Sequence, residues 1–127
     1  MTDKINVNIW DDYYEDRYVP AGKVQTTYAY LETKISDEQA KEVLTLLKEK
    51  IETLIDSKSS LKLEIVFHDS AKEYPNLVGT EYEYVLYKRW QLNMTHLTHE
   101  LREEIVEKLQ KGSLTYNQIP LNIYSES

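Results

Sequence analysis

Three histidines and one run of acids are the residues of this chain with the most chemistry to offer. His96 and His99 stand three apart and Glu103 follows four further on, so on a helix the three fall along one line. Imidazoles and a carboxylate in such a line can hold zinc. On the helical wheel, however, they lie opposite the apolar stripe of Leu101 and Ile105 and face water. There a metal lacks the shielding and outer hydrogen bonds that tune a functional centre. The expectation is a polar helix face with a His99 to Glu103 contact, and no metal ligand is assigned.

His68-Asp69-Ser70 and His96-Leu97-Thr98 both read His-x-Ser/Thr. In this the chain resembles the two-histidine phosphoesterases, which carry one such motif in each lobe of a duplicated fold. The resemblance covers six residues and implies two imidazoles facing each other across a cleft. Here the second motif falls at a helix start, and the chain is short for two lobes. It stands as a third reading, behind two non-catalytic ones.

The acids lie in WDDYYEDRYVP, residues 10 to 20. Trp10, Tyr13, Tyr14 and Tyr18 are interleaved with Asp11, Asp12, Glu15 and Asp16. Carboxylates bind hard cations, but the spacing lacks the alternate acids, glycine and distal glutamate of a calcium loop. DDYYED also matches the letters DDxxD of the prenyl-chain enzymes, which are large all-helical proteins unlike this chain. A charge run of this kind reads first as a solvated acidic loop, but aromatic anchors rimmed by charge of one sign also form a surface suited to a basic protein partner. In that reading Trp10, Tyr13, Tyr14 and Tyr18 anchor, while Asp11, Asp12, Glu15 and Asp16 steer association and make rim pairs.

The remaining motifs exclude rather than assign. There is no phosphate-cradling glycine loop, no GxSxG elbow and no HExxH, so no catalytic residue, cofactor or metal is assigned and the chain is not expected to be an enzyme. The absence of cysteine excludes disulfides and thiolate chemistry. A net charge of -7 disfavours direct contact with a phosphate backbone. Mean hydropathy is -0.60 and no apolar run approaches the roughly 20 residues that span a bilayer, so no membrane role is expected. With no basic-then-apolar leader at the start, the expected location is cytoplasmic.

These residues must be positioned by a fold, and 127 residues suffice for one domain with a real core. KINVNIW, residues 4 to 10, alternates as a strand, and VQTTYAYLETK from Val24 reads as a second. Between them residues 10 to 23 form a 14-residue connection. Ser36 to Gln39 is a capping box, opening a helix to about Asp56 with Ala40, Val43, Leu44, Leu47, Ile51, Leu54 and Ile55 inward. LKLEIVFHD is strand three, EYPNLVGT a connection and TEYEYVLYKRWQLN a long strand four. Trp90, beside Lys88 and Arg89, reads as a packing residue with two solvated neighbours. A second helix from Thr95 or Thr98 to about Lys111 turns Leu97, Leu101, Ile105, Val106 and Leu109 inward, and IPLNIY closes the chain.

The order ββαββαβ predicts an α+β class: a mainly antiparallel sheet with two helices packed on one face, 1–127 forming a single domain. From Val24 onward the order is that of the ferredoxin-like split unit. That arrangement would make the strand at Val24 central, flanked by the fourth and last strands. The N-terminal strand then either joins a sheet edge or forms a hairpin in a different arrangement. Eleven tyrosines against one phenylalanine suit strands whose rings pack while their hydroxyls reach outward.

Two functions fit this reading. The first is a small acidic protein-binding module that covers a basic surface of a partner; in general physical character it resembles the compact acidic inhibitors and immunity proteins of bacteria and their phages. The second is a ferredoxin-like module that forms a homo-oligomer through its sheet and binds a small ligand or tunes an assembly.

Overall fold

The computed structural model describes residues 3–13, 25–55 and 60–126, and of residues 12, 13, 25, 26 and 126 the backbone alone. The chain is α+β. Strands β1 (Ile5–Tyr13), β2 (Gln25–Leu31), β3 (Lys62–Asp69), β4 (Lys88–Thr95), β5 (Thr115–Tyr116) and β6 (Ile119–Glu126) form a mixed sheet in the order β3-β4-β2-β1-β6-β5. Helices α1 (Asp37–Leu54) and α3 (His99–Lys111) are long, and α2 (Ser70–Glu73) is a single turn.

Alternation in β1 places Ile5, Val7 and Ile9 on the face that also carries Ala29 and Leu31 of β2, Leu92 and Met94 of β4, and Leu121 and Ile123 of β6. Both long helices close over this face, α1 on β3 and β4 and α3 on β6, and they touch each other. The inward stripe of α1 is Ala40, Val43, Leu44, Leu47 and Ile51, every one buried. This matches the periodicity except at its last turn, where Leu54 and Ile55 are only half-buried.

The cap of α1 is the one read from the sequence. The Ser36 hydroxyl accepts from the Gln39 N–H at 3.2 Å, and the Gln39 side chain accepts from the Ser36 N–H at 3.2 Å. Ser36→Ala should therefore cost about 1 kcal/mol. A urea melt would read this as a lower midpoint with an unchanged slope; an unmoved midpoint would mean the cap contributes nothing.

Three expectations are corrected. The ferredoxin-like order would place β6 beside β2, but β1 stands between them, antiparallel to β2 and parallel to β6. The N-terminal strand thus belongs to a hairpin in the middle of the sheet. Next, the long strand four begins only at Lys88. Its first half has no ladder partner, because β3 ends at Asp69, opposite Lys88, where the Asp69 carboxylate caps α2 through the Ala71 N–H. Residues 74–87 instead fold into consecutive tight turns, with 3-10 turns at Pro75–Leu77 and Glu83–Val85. Finally, the expected order ββαββαβ gains α2 and β5. The latter pairs with β6 across Asn117 and Gln118, both at positive φ as a primed hairpin turn requires.

Candidate functional site

Among the described residues neither long helix packs on the opposite face of the sheet. Register places Val66, Gln91, Tyr30, Asn8 and Tyr124 in one row across five strands, with Glu64, Asn93, Tyr28 and Trp10 in the next. The side chains form a polar carpet. Asn8 Nδ2 donates to the Tyr30 hydroxyl at 2.7 Å and to Glu32 Oε1 at 2.9 Å. Arg89 Nε donates to Gln91, whose own amide donates to Asn93 at 2.7 Å.

Arg89 gives this carpet its character. Its guanidinium carbon lies 3.9 Å from the Tyr30 ring centroid, 4.1 Å from that of Tyr87 and 5.7 Å from that of Tyr28. Cation–π attraction to three rings fixes the fork where a solvated arginine was expected. Tyr87 also stacks on His68 at 5.2 Å. Asn8 and Gln91 are buried at the centre of the face, while Trp10 remains 40% exposed at its margin. Trp90 lies on the other face, packed on Phe67 and donating to Asp37 at 2.9 Å, as a packing residue should.

Beside the carpet stands the connection from Ser70 to Tyr87. Its neck is closed by the Ser70 N–H donating to the Tyr87 carbonyl at 3.0 Å and the Tyr87 N–H donating to Ser70 Oγ at 2.7 Å. Beyond the neck, successive turns bond Val78 to Pro75, Thr80 to Leu77, Glu83 to Thr80 and Val85 to Tyr82. Gly79 takes the one positive φ that these turns require. The result is an ordered projection presenting Tyr74, Val78, Tyr82, Val85 and Tyr84, the last 80% exposed. Glu73, Glu81 and Glu83 lie among them.

Of the expected acidic site the structure describes the side chains of Trp10 and Asp11 alone. Tyr14, Glu15, Asp16 and Tyr18 lie outside the described residues, as do the side chains of Asp12 and Tyr13. Trp10 through Tyr13 continue β1 and pair with Tyr28 back to Gln25, so the connection is shorter than the 14 residues expected. Asp11 leaves the rim altogether. It extends the inward face of β1, is 6% exposed, and meets the 3% exposed Arg102 with both carboxylate oxygens, 2.8 and 2.7 Å from Nε. Thr27 Oγ1 donates to the same carboxylate at 2.7 Å. Arg102 Nη1 reaches Glu103 at 2.5 Å and Nη2 donates to Ser125 Oγ. Burial opposes a charged guanidinium, but hydrogen bonding and attraction from Asp11, joined by Glu103, outweigh it and hold Arg102 above its ordinary pKa. Sequence reasoning missed this network, which ties β1, β2, β6 and α3 together.

The histidines do not converge. His68 pairs with Arg89 at one end of β4, and His96 follows the other end, seven residues or roughly 23 Å along an extended strand. The two-histidine phosphoesterase geometry is therefore not met. His96 precedes the Thr98 cap of α3 and has positive φ, so it does not share a helix line with His99 and Glu103. Among the described residues no group of three acids and histidines could hold a metal ion, and no helix is long and apolar enough to cross a membrane.

Fold and surface thus define an α+β domain with one helix-covered sheet face and one polar, tyrosine-rich face. Comparison of the chain with protein-family models, with curated proteins and with solved structures gives no match.

Proposed function

We propose that this protein is a small acidic, non-catalytic protein-binding module that covers a basic surface of a partner protein, as an inhibitor or immunity-type protein does. The observation that carries the reading is the Ser70–Tyr87 projection. Five large side chains stand half or more exposed on a segment held by its own hydrogen bonds. An apolar patch of this kind is costly on a surface that binds nothing. Because the turns already fix the backbone, binding would lose little backbone entropy.

The carboxylates of Glu73, Glu81 and Glu83, with a net charge of -7, select a basic partner. This keeps the chemistry expected of residues 10 to 18 and moves its described centre some sixty positions along the chain.

A photo-reactive side chain at position 84 should cross-link such a partner, and one at the partly exposed α1 position Lys48 should not. With that partner purified, Tyr82→Ala and Tyr84→Ala should each raise Kd by roughly 30-fold, as hot-spot tyrosines do. Raising ionic strength should weaken binding further. A Kd indifferent to both substitutions and to salt would remove the projection and its charge from the mechanism.

A further inference from the structure

The two edges of the sheet are unequal. β5 at one end is two residues long, whereas β3 at the other is eight residues without proline, glycine or bulge. Such an edge is ordinarily blunted, since its unpaired N–H and C=O groups invite another strand. The phase of pairing shows which groups these are. Ser70 donates to Tyr87, its register partner, so the even residues of β3 bond to β4. The backbone groups of Leu63, Ile65 and Phe67 then point away from the sheet. Their side chains lie on the helix-covered face only partly covered, Phe67 being 48% exposed.

We propose that β3 pairs with β3 of a second copy of this chain, antiparallel about a twofold axis at Val66, giving one continuous sheet through both molecules. Register and charge select that axis. A twofold pairing that keeps the helices of both copies on one face must place odd residues opposite odd and even opposite even. With Val66 at the axis, Ile65 faces Phe67 of the second copy, and Glu64 faces His68 of the second copy on the polar side. Centring on Glu64 opposes two carboxylates. Centring on Ile65 sets Lys62 against His68 and Glu64 against Val66, while centring on Phe67 sets Ile65 against Asp69. Over residues 64–68 the Val66 axis gives each position an apolar or oppositely polar partner, leaving Leu63 against Asp69 at the ends of the overlap, whereas an axis at Leu63 would overlap only residues 62–64 of β3. The inference is independent of the partner reading above, because the outer edge of β3 is distinct from the projection.

The chain has no cysteine, so Val66→Cys introduces a single thiol. At a non-hydrogen-bonded antiparallel pair the two Cβ atoms stand about 4.5–5.5 Å apart, close enough for mild oxidation to form a disulfide. Val66→Cys should cross-link to a dimer, and Lys48→Cys on α1 should not. By sedimentation the wild type should be dimeric at micromolar concentration. Ile65→Pro removes an outward N–H along with a partly buried side chain and should yield a monomer that still folds; should that variant unfold, Glu64→Lys on the exposed polar side gives the same test and should weaken dimerisation roughly tenfold or more. A wild type still monomeric at about 1 mM overturns the proposal, since even a barely specific contact would associate there. So does a dimer in which Val66→Cys cross-links no faster than Lys48→Cys.

Discussion

Arg102→Ala should destabilise this protein by about 3–5 kcal/mol, a large share of the roughly 5–15 kcal/mol that holds a domain together. The substitution leaves the Asp11 carboxylate without its cation in a site 6% exposed, with Thr27 as its remaining donor among the described residues. It also strips Ser125 and Glu103 of a donor. Arg102→Lys should recover little, because a single ammonium nitrogen cannot span the three partners that Nε, Nη1 and Nη2 of the fork reach separately at Asp11, Glu103 and Ser125. The converse is equally expected. Removing both charges together, with Asp11→Leu and Arg102→Met, should return stability to within about 1 kcal/mol of wild type or above it, since desolvating two ions consumes most of what their attraction returns. Chemical denaturation of the three variants decides the matter, and a loss below about 1 kcal/mol for Arg102→Ala would show the site to be wetter than its exposure implies.

Asn8→Asp is the second large effect. Asn8 is fully buried at the centre of the polar face, where its amide donates to Tyr30 and Glu32 while its Oδ1 has no hydrogen-bond partner among the described residues. The isosteric carboxylate keeps the shape and removes both donors, setting a second negative oxygen against Glu32. A loss of about 3–5 kcal/mol follows from an uncompensated buried charge. Adding Glu32→Gln should restore about half of it by returning a donor to the pair. The pH dependence has a definite sign: burial and Glu32 raise the introduced carboxyl above its unfolded value near 4, so the deficit is present at neutral pH and shrinks as acid protonates it. Equal deficits at pH 4 and pH 7 would overturn this account.

These two residues mark what the sequence made legible. Periodicity located both long helices and the inward face of β1 because apolar spacing is set by local geometry. The same rule, carried one step further, places Asp11 after Ile5, Val7 and Ile9, and Arg102 in line with Ile105, Val106 and Leu109. Each looks wrong on its own face, and only their meeting across 91 positions makes burial tolerable. Local reasoning treats a charge as a strand end or a solvated face, so Asp11 was expected in a loop. The opposite error occurred at Tyr82, Tyr84 and Leu86, whose alternation suits a strand that no neighbour is present to pair. Alternation specifies faces, whereas a strand needs a partner, and the end of β3 at Asp69 is not written in residues 80–87. The polar carpet was hidden for a similar reason: Arg89 acquires its three rings from β2 and the end of the projection, and of these only Tyr87, two positions away, is near it in sequence.

The parallel pairing of β1 with β6 carries a consequence for how the molecule comes into being. Asn6 lies beside Asn122, 116 positions later. At ribosomal rates of about 5–20 residues per second, β1 waits roughly 6–23 seconds for that neighbour to be synthesised. During this interval β2 can occupy one side of β1, but its other side stays open in the middle of the future sheet. Closure of the longest loops comes last, so folding should be slow for a domain of this size, with β6 docking as the final event. A nascent chain halted before residue 119 would hold its hairpin and first helix yet expose the central strand, and is the species a holding chaperone would meet.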